Sequence, residues 1–289
     1  MKSTFGTRAE PLRKHTSLHI GGPAEYYVRI TTENDLIGAI KVARENELPV
    51  FVLGAGTNLL VADQGIKGVV IHNDWAETSV DGTTITAASG TPMASVAAVA
   101  ARNGILGLEW MATVPGTVGG AVHGNAGAFG KETADDIVDA ELMDLNGRTW
   151  TATKEELGFA YRTSVLQGTP TVVVRARFRG GAGDRATAVK RIKEMANERM
   201  SKQPLAQPNT GSIFRNPPGD HAGRLIEAAG LKGATEGGAM VSTKHANFIV
   251  NIGDASASDV RTLMELAQRE VKAKFGVDLK PEVEMVGEW

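Results

Sequence analysis

The sequence predicts an α+β protein of two lobes, with the second beginning near Asp184. Three observations lead there. A length of 289 residues suggests about two domains. Turn signals at Asp81-Gly82 and Asn146-Gly147 sit beside β-rich segments in the middle of the chain, and helical segments follow in its last third. Between these regions lies Gly180-Gly181-Ala182-Gly183, the best linker candidate in the sequence.

In order along the chain, Thr32 fits an N-cap, with Glu33 and Asp35 in the first turn and Leu36, Ile37, Ile40 and Ala43 at helical spacing. Pro49 ends that helix. Residues 50–53, Val-Phe-Val-Leu, read as a buried strand stopped by Gly54, with 68–71 as its neighbour. Residues 83–86 and 138–142 supply the hairpins. A helix from Pro92 through Val96, Val99 and Ala100 ends at Asn103-Gly104, and a strand over 171–178 closes the first lobe. Beyond the linker, 185–200 is an amphipathic helix and 222–229 a short one stopped by Gly230. A third helix carries Val260, Leu263, Ala267, Val271 and Phe275, with Ser258 as cap and Gly276 as stop. Strands are predicted over 247–250 and 277–286. No repeat or low-complexity tract interrupts the pattern.

Composition narrows the function. The 31 Lys and Arg nearly balance 33 Asp and Glu, for a net charge of −2 without runs of one sign, which argues against nucleic acid and anionic membranes. The basic stretch from Lys190 to Lys202 is interrupted by Glu194 and Glu198 and reads as a solvated helix face. The absence of cysteine excludes disulfides, thiolate zinc sites and a cysteine nucleophile, and six scattered histidines give no metal-ligand spacing. With no apolar signal segment near the N-terminus and no membrane-length apolar run, a cytoplasmic protein is predicted.

Two glycine-rich segments stand out. Gly54-Ala55-Gly56-Thr57-Asn58-Leu59 follows a strand directly, where bare N–H groups can approach a phosphate. It is neither a Walker loop nor a Rossmann fingerprint, and a tight turn without ligand is the alternative. The second runs from Val114 to Gly130 with Gly116, Gly119, Gly120, Gly124, Gly127 and Gly130, a density that costs conformational entropy on folding. It suggests backbone lying against a large flat or phosphorylated ligand, and the pair fits a dinucleotide; a purely structural loop is the alternative.

These segments occur together with Thr16-Ser17-Leu18-His19-Ile20-Gly21-Gly22-Pro23-Ala24, Gly107-Leu108-Glu109-Trp110, Pro115-Gly116-Thr117-Val118-Gly119-Gly120 and Asn125-Ala126-Gly127. Later come Tyr161-Arg162-Thr163-Ser164, Gly211-Ser212-Ile213-Phe214-Arg215-Asn216-Pro217, Ala222-Gly223-Arg224-Leu225-Ile226, Gly230-Leu231-Lys232-Gly233, Ser242-Thr243-Lys244-His245-Ala246-Asn247-Phe248 and Pro281-Glu282-Val283. Taken together and in order, they resemble the UDP-N-acetylenolpyruvoylglucosamine reductase family over nearly the whole chain. The resemblance implies an FAD-binding lobe of vanillyl-alcohol-oxidase type over 1–183, with subdomains at about 1–72 and 73–183, and a smaller α+β lobe over 184–289 that binds the nucleotide sugar. It implies FAD on the Gly54 loop and on Pro115, Gly116, Gly119, Gly120, Asn125, Ala126 and Gly127. It also implies NADPH and UDP-N-acetylglucosamine enolpyruvate as reactants, with no obligate protein partner. The short span between Ser164 and Thr171 resembles the branch without an inserted tyrosine loop. Leu18, His19 and Thr57 depart from the family's common residues; Thr57 keeps a hydroxyl, and Leu18 and His19 are left outside the site.

Reducing an enol ether double bond needs a hydride, a proton, and stabilisation of an enolate-like charge on the neighbouring carboxylate. Arg162 suits the carboxylate, since a cationic fork binds it bidentately; a surface ion pair is the bland reading. Ser212, in a Gly-Ser turn, could deliver a proton, although such hydroxyls usually cap turns. Glu282 after Pro281 reads equally as a solvated carboxylate. The resemblance assigns Arg162 and Glu282 to enolate stabilisation and Ser212 to proton donation. By the same resemblance Tyr161, Lys202 and Asn216 contact substrate or nucleotide phosphates, against packing, a helix-end lysine and a turn asparagine. His245 reads as a core histidine with a backbone partner. Two rivals remain: a flavin oxidase on the same fold, and a non-catalytic nucleotide binder that would need no Arg162, Ser212 and Glu282 together.

Overall fold

The computed structural model describes residues 6–289. Its contacts group the chain into two compact units that interleave in sequence. The first is made mainly of Tyr27–Ala55 and Gly68–Arg199, the second of Arg8–Tyr26, Gly56–Lys67 and Met200–Trp289. This differs from a single boundary after residue 183, for two packing reasons. The helix Arg185–Lys202 buries Ala188, sets Ile192 and Met195 against the first unit's core, and reaches Glu109 through Arg191 at 3.4 Å. Leu18, Ile20 and Leu60, although early in the chain, are buried in the core of the second unit.

In the first unit the helix Glu33–Glu45 starts at Thr32 through a capping box: Thr32 Oγ1 accepts from the Asp35 N–H at 3.1 Å, and Asp35 accepts from the Thr32 N–H at 3.0 Å. The Thr31 N–H, which donates to the same carboxylate at 3.1 Å, and the hydrogen bonds from Thr32 hold the exposed Asp35 carboxyl below its ordinary pKa. Val50–Leu53 runs parallel to Ile66–Asn73, pairing Phe51 with Val70, though only Leu53 of the four is buried. Five antiparallel strands form the main sheet in the order Thr149–Thr153, Ile137–Asp144, Thr171–Arg179, Thr84–Ala88, Thr78–Asp81, and both predicted hairpins are in it. Against the sheet lie the helices Met93–Arg102 and Val118–Gly124, enclosing Val96, Trp110, Val118, Leu142 and Phe178. Each such side chain contributes about 1.5–3 kcal/mol by leaving water. The predicted Gly180–Gly183 linker is instead part of this unit. Gly181–Ala182 pairs with Ile105–Leu106, and the Gly183 N–H donates to the Gly104 carbonyl at 2.8 Å.

In the second unit the helix Ala257–Phe275 lays Val260, Leu263, Met264, Ala267 and Val271 into a core shared with Leu225, Ile226 and Phe214. Its cap is Ser256, which accepts from the Asp259 N–H at 3.0 Å. The predicted cap Ser258 has already entered the helix and donates its hydroxyl to Asp63 at 2.7 Å. Thr235–Glu236, Ala239–Val241 and Ile249–Asn251 form a three-stranded antiparallel sheet. The strand predicted over 277–286 shrinks to Glu284–Val286, parallel to Leu59–Val61. Pro281 has no N–H to give a ladder and makes only an isolated bridge with Phe214. No helix among the described residues is long and apolar enough to cross a membrane, and no group of three or more His, Asp or Glu could hold a metal ion there.

Candidate active site

In the first unit the two glycine-rich segments meet. A Cβ on Gly54 would lie 2.5 Å from the Thr117 hydroxyl, so the end of Val50–Leu53 rests on the entry to the helix Val118–Gly124. That entry is fixed by backbone: Met93 N–H donates to Gly116, Val118 N–H to Thr91 and Gly119 N–H to Ser89, at 2.8–3.0 Å. The glycines of this helix then divide into two kinds. A Cβ on Gly119 would come within 3.0 Å of Ser89, so internal packing accounts for it. Gly120 is exposed, with Thr117 Oγ1 at 3.8 Å as its nearest neighbour, and Gly124 has nothing within 4 Å. A helical glycine costs about 1 kcal/mol relative to alanine, and nothing inside the protein demands it at these two positions. Bare backbone of this kind fits a cofactor that lies flush against the helix.

Asn125 ends the helix in a left-handed conformation and is fully buried. Its amide donates to the Ala160 carbonyl at 2.9 Å and its oxygen accepts from the Ala134 N–H at 3.0 Å, so the side chain holds the loop together. Ala126 bonds back to Ala121, and Gly127 packs on Lys131 and Glu132. Pro115 stands exposed at the start of the segment.

Arg162 occupies a two-residue turn closed by reciprocal bonds between Ala160 and Thr163, with φ +58°, a left-handed value that few non-glycine residues adopt. Its guanidinium donates to the Gly127 carbonyl at 3.1 Å and the Asn125 carbonyl at 3.4 Å, and stacks over the exposed Tyr161 ring at 5.1 Å. The cation is thus fastened to the glycine-rich segment itself.

In the second unit Gly56 takes φ +61°, and a Cβ there would run into the His15 carbonyl; its own carbonyl accepts from the Ser17 N–H at 3.1 Å. Thr57 follows it. Asn58 donates its amide to the Glu282 carbonyl at 3.0 Å, and Leu59 starts the strand paired with Glu284. Ser212 and Glu282 lie on adjoining segments, because the Glu282 N–H donates to the Ile213 carbonyl at 2.8 Å and Arg215 N–H to Lys280 at 2.9 Å. Asn247, 3% exposed, staples this arrangement: its amide bonds the Phe214 N–H and carbonyl, and its backbone carbonyl accepts from Ile213. Asn216 has its side-chain oxygen on the Ala222 N–H at 3.0 Å, at the start of the helix Ala222–Ala228. Lys202 is the last residue of Arg185–Lys202. His245 is the core histidine expected: its Nδ1 accepts from the Asn247 N–H at 3.2 Å, Phe248 packs edge-on at 4.9 Å, and burial lowers its pKa. The structure therefore joins Ser212 to Glu282, and Arg162 to the second glycine segment. Asn247 was absent from the predicted site because its role depends on contacts 33 residues away, which no local spacing records.

Comparison with known proteins follows the same division. A family model described as FAD binding domain matches residues 24–153, and one described as UDP-N-acetylenolpyruvoylglucosamine reductase, C-terminal domain, matches 203–286. UDP-N-acetylenolpyruvoylglucosamine reductase 2 of Symbiobacterium thermophilum is 45% identical over 97% of this chain and 92% of its own length. The corresponding reductase of Caldanaerobacter subterraneus is 43% identical over 96% of this chain and 93% of its own. The crystal structure of the reductase from Thermus caldophilus superposes with a TM-score of 0.81 at 36% identity, covering 95% of this chain and 97% of that one. The fold and these matches define a flavin-dependent oxidoreductase that uses FAD and NADPH. The chain belongs to the UDP-N-acetylenolpyruvoylglucosamine reductase family.

Proposed function

We propose that Arg162, Ser212 and Glu282 perform this chain's share of its reaction, the NADPH-dependent reduction of UDP-N-acetylglucosamine enolpyruvate to UDP-N-acetylmuramate for peptidoglycan. With FAD bound, hydride taken from NADPH is passed to the enolpyruvyl double bond. FAD would be held by Gly54, Ala55, Gly56, Thr57, Asn58 and Leu59, and by Pro115, Gly116, Gly119, Gly120, Asn125, Ala126 and Gly127. Arg162 binds the substrate carboxylate and gains strength as negative charge develops there. Ser212 gives its hydroxyl proton to the carbon bearing that carboxylate. Glu282 stabilises the same charge, which a carboxyl group does only while it carries its proton. Glu282→Gln, which keeps a donor, should therefore retain more activity than Glu282→Ala; equal losses would take the donor role away from Glu282. The observation that carries the assignment is the 2.8 Å bond from Glu282 to Ile213, which sets the second carboxyl beside the segment holding Ser212.

Residues 200–289 take the nucleotide sugar in this reading, with Tyr161, Lys202 and Asn216 as contacts. Hydrogen exchange tests it: adding the enolpyruvyl substrate should protect residues 202–216 and raise the melting temperature. Protection confined to residues before 180 would place the substrate elsewhere. The protein works in the cytoplasm, where nicotinamide and uridine nucleotides are available, and turns over without a protein partner.

A further inference from the structure

Of the six histidines, one combines partial burial with a ring that bonds to nothing among the described residues. His15 meets Glu10 at 3.0 Å, His72 lies between Tyr27 and Asp74, and the His245 ring accepts from the Asn247 N–H. His19 and His221 are exposed. His123 is half-buried in the last turn of Val118–Gly124, where its carbonyl accepts the Ser164 hydroxyl at 2.7 Å while its ring is left without hydrogen bond or ion pair. The helix fixes where that ring stands. At 3.6 residues per turn, Val118, Ala121 and Val122 fill the buried arc, and Gly120, His123 and Gly124 fall within about 100° of one another on the other side. Helical side chains lean over the preceding turn, which carries His123 toward the level of Gly120. No atom of the ring comes within 4 Å of a Cβ built on Gly120, so it stands beside the bare patch and leaves it clear. Nothing around it competes for its donors. The Ala121 carbonyl is taken by the Ala126 N–H at 2.9 Å and the Thr133 hydroxyl at 3.1 Å. On the adjoining helix Thr133–Asp136, Asp136 is held by Lys131 and Trp110, and Asp135 by the Glu132 N–H.

We propose that His123 is a cofactor-contacting residue, whose ring N–H donates to the edge of the isoalloxazine that becomes negative when the flavin is reduced. This rests on the reading that FAD lies against the bare face of the helix. A hydride carries two electrons and one proton, so its transfer from NADPH leaves NADP⁺ and a flavin richer by one negative charge until a second proton arrives. Imidazole keeps a ring N–H in either neutral tautomer and has two when protonated, so it can donate at any working pH. A hydrogen bond to a charged acceptor is about twice as strong as one to a neutral acceptor. The donor therefore favours reduced over oxidised flavin and sets how readily the cofactor accepts hydride.

The midpoint potential of the bound FAD reads this contact in the holoenzyme without turnover. His123→Leu should keep its flavin and lower the preference for reduced over oxidised flavin about tenfold, a fall of about 30 mV for a two-electron couple. His123→Gln, which restores a neutral donor, should recover part of that fall. If His123→Leu does not fold or does not hold flavin, His123→Phe, a flat ring without a donor, takes its place under the same criteria. An unchanged potential in a donorless variant would overturn the proposal, and Gly120→Ala then shows which part failed. A paler Gly120→Ala leaves the cofactor on the helix and removes only the histidine, whereas a fully yellow one sinks the reading of the cofactor site itself. An unchanged potential accompanied by a several-fold rise in the NADPH needed for half-maximal bleaching would assign the ring to the dinucleotide and equally overturn the proposal.

Discussion

The helix Val118–Gly124 and the segment Thr210–Asn216 solve the same problem by opposite means. The first presents main chain, with glycines at Gly120 and Gly124 that no protein contact requires. The second presents side chains from a backbone stapled by the half-buried amide of Asn209 at Gly211 and the buried amide of Asn247 at Phe214. In the proposed assignment a flat cofactor that stays bound is met by shape, and a substrate that must be protonated and released is met by hydrogen-bonding groups. Loss of function should follow accordingly, through cofactor retention in one region and through chemistry or substrate affinity in the other.

Arg162 sits where that contrast is weakest, since it is a side chain anchored to the glycine segment. Arg162→Ala should lower kcat/KM by about 10² to 10³. Some FAD loss should accompany it, because the Asn125 and Gly127 carbonyls lose their donor. Flavin absorbance in the same preparations separates the two effects, and full activity would remove Arg162 from the site. Next in size is Asn247→Ala, which strands the Phe214 N–H and carbonyl in a buried setting. It should cost about 1–3 kcal/mol in denaturant unfolding. Wild-type stability in that variant would mean that the segment does not need its staple.

Gly120→Ala sharpens the comparison most cheaply. Helix propensity should make the flavin-free protein more stable by about 0.5–1 kcal/mol, while the added methyl weakens FAD retention. A variant both stable and fully yellow would leave the exposed glycine without a cofactor role. The smallest effect concerns pH. Burial lowers the pKa of His245, so the folded state binds this proton less readily than the unfolded chain. Its stabilising contribution is complete above the unfolded value of about 6.5 and is lost as pH falls from there toward the folded pKa. Melting temperature should drop less between pH 7 and 5.5 in His245→Asn than in wild type.

What the sequence makes legible is local. Thr32 with Asp35, the turns at Asp81-Gly82 and Asn146-Gly147, and Gly276 as a helix stop act within a few residues, and all are found where the pattern puts them. Non-local competition decides the rest. Ser258 fits a cap by type, but Ser256 holds that place, and Asp63, 195 positions earlier, claims the Ser258 hydroxyl. Gly180–Gly183 reads as a linker until Ile105–Leu106 pairs with it. Leu18 and His19 illustrate both sides. Leucine is at home in the second unit's core, whereas His19 takes a left-handed backbone that its type does not announce. At the site, residue types and motif order bring Ser212 and Glu282 to notice. Only the fold shows that they share adjoining segments, and that Arg162 binds the glycine-rich loop.

The division of labour is tested most directly by Ser212→Ala in anaerobic stopped-flow. A hydroxyl that donates the substrate proton has no part in taking hydride from NADPH, so flavin bleaching should keep a near-normal rate, while reoxidation by the enolpyruvyl substrate slows by about 10² to 10⁴. Equal slowing of both phases, or none in either, would contradict the account and take the proton away from Ser212.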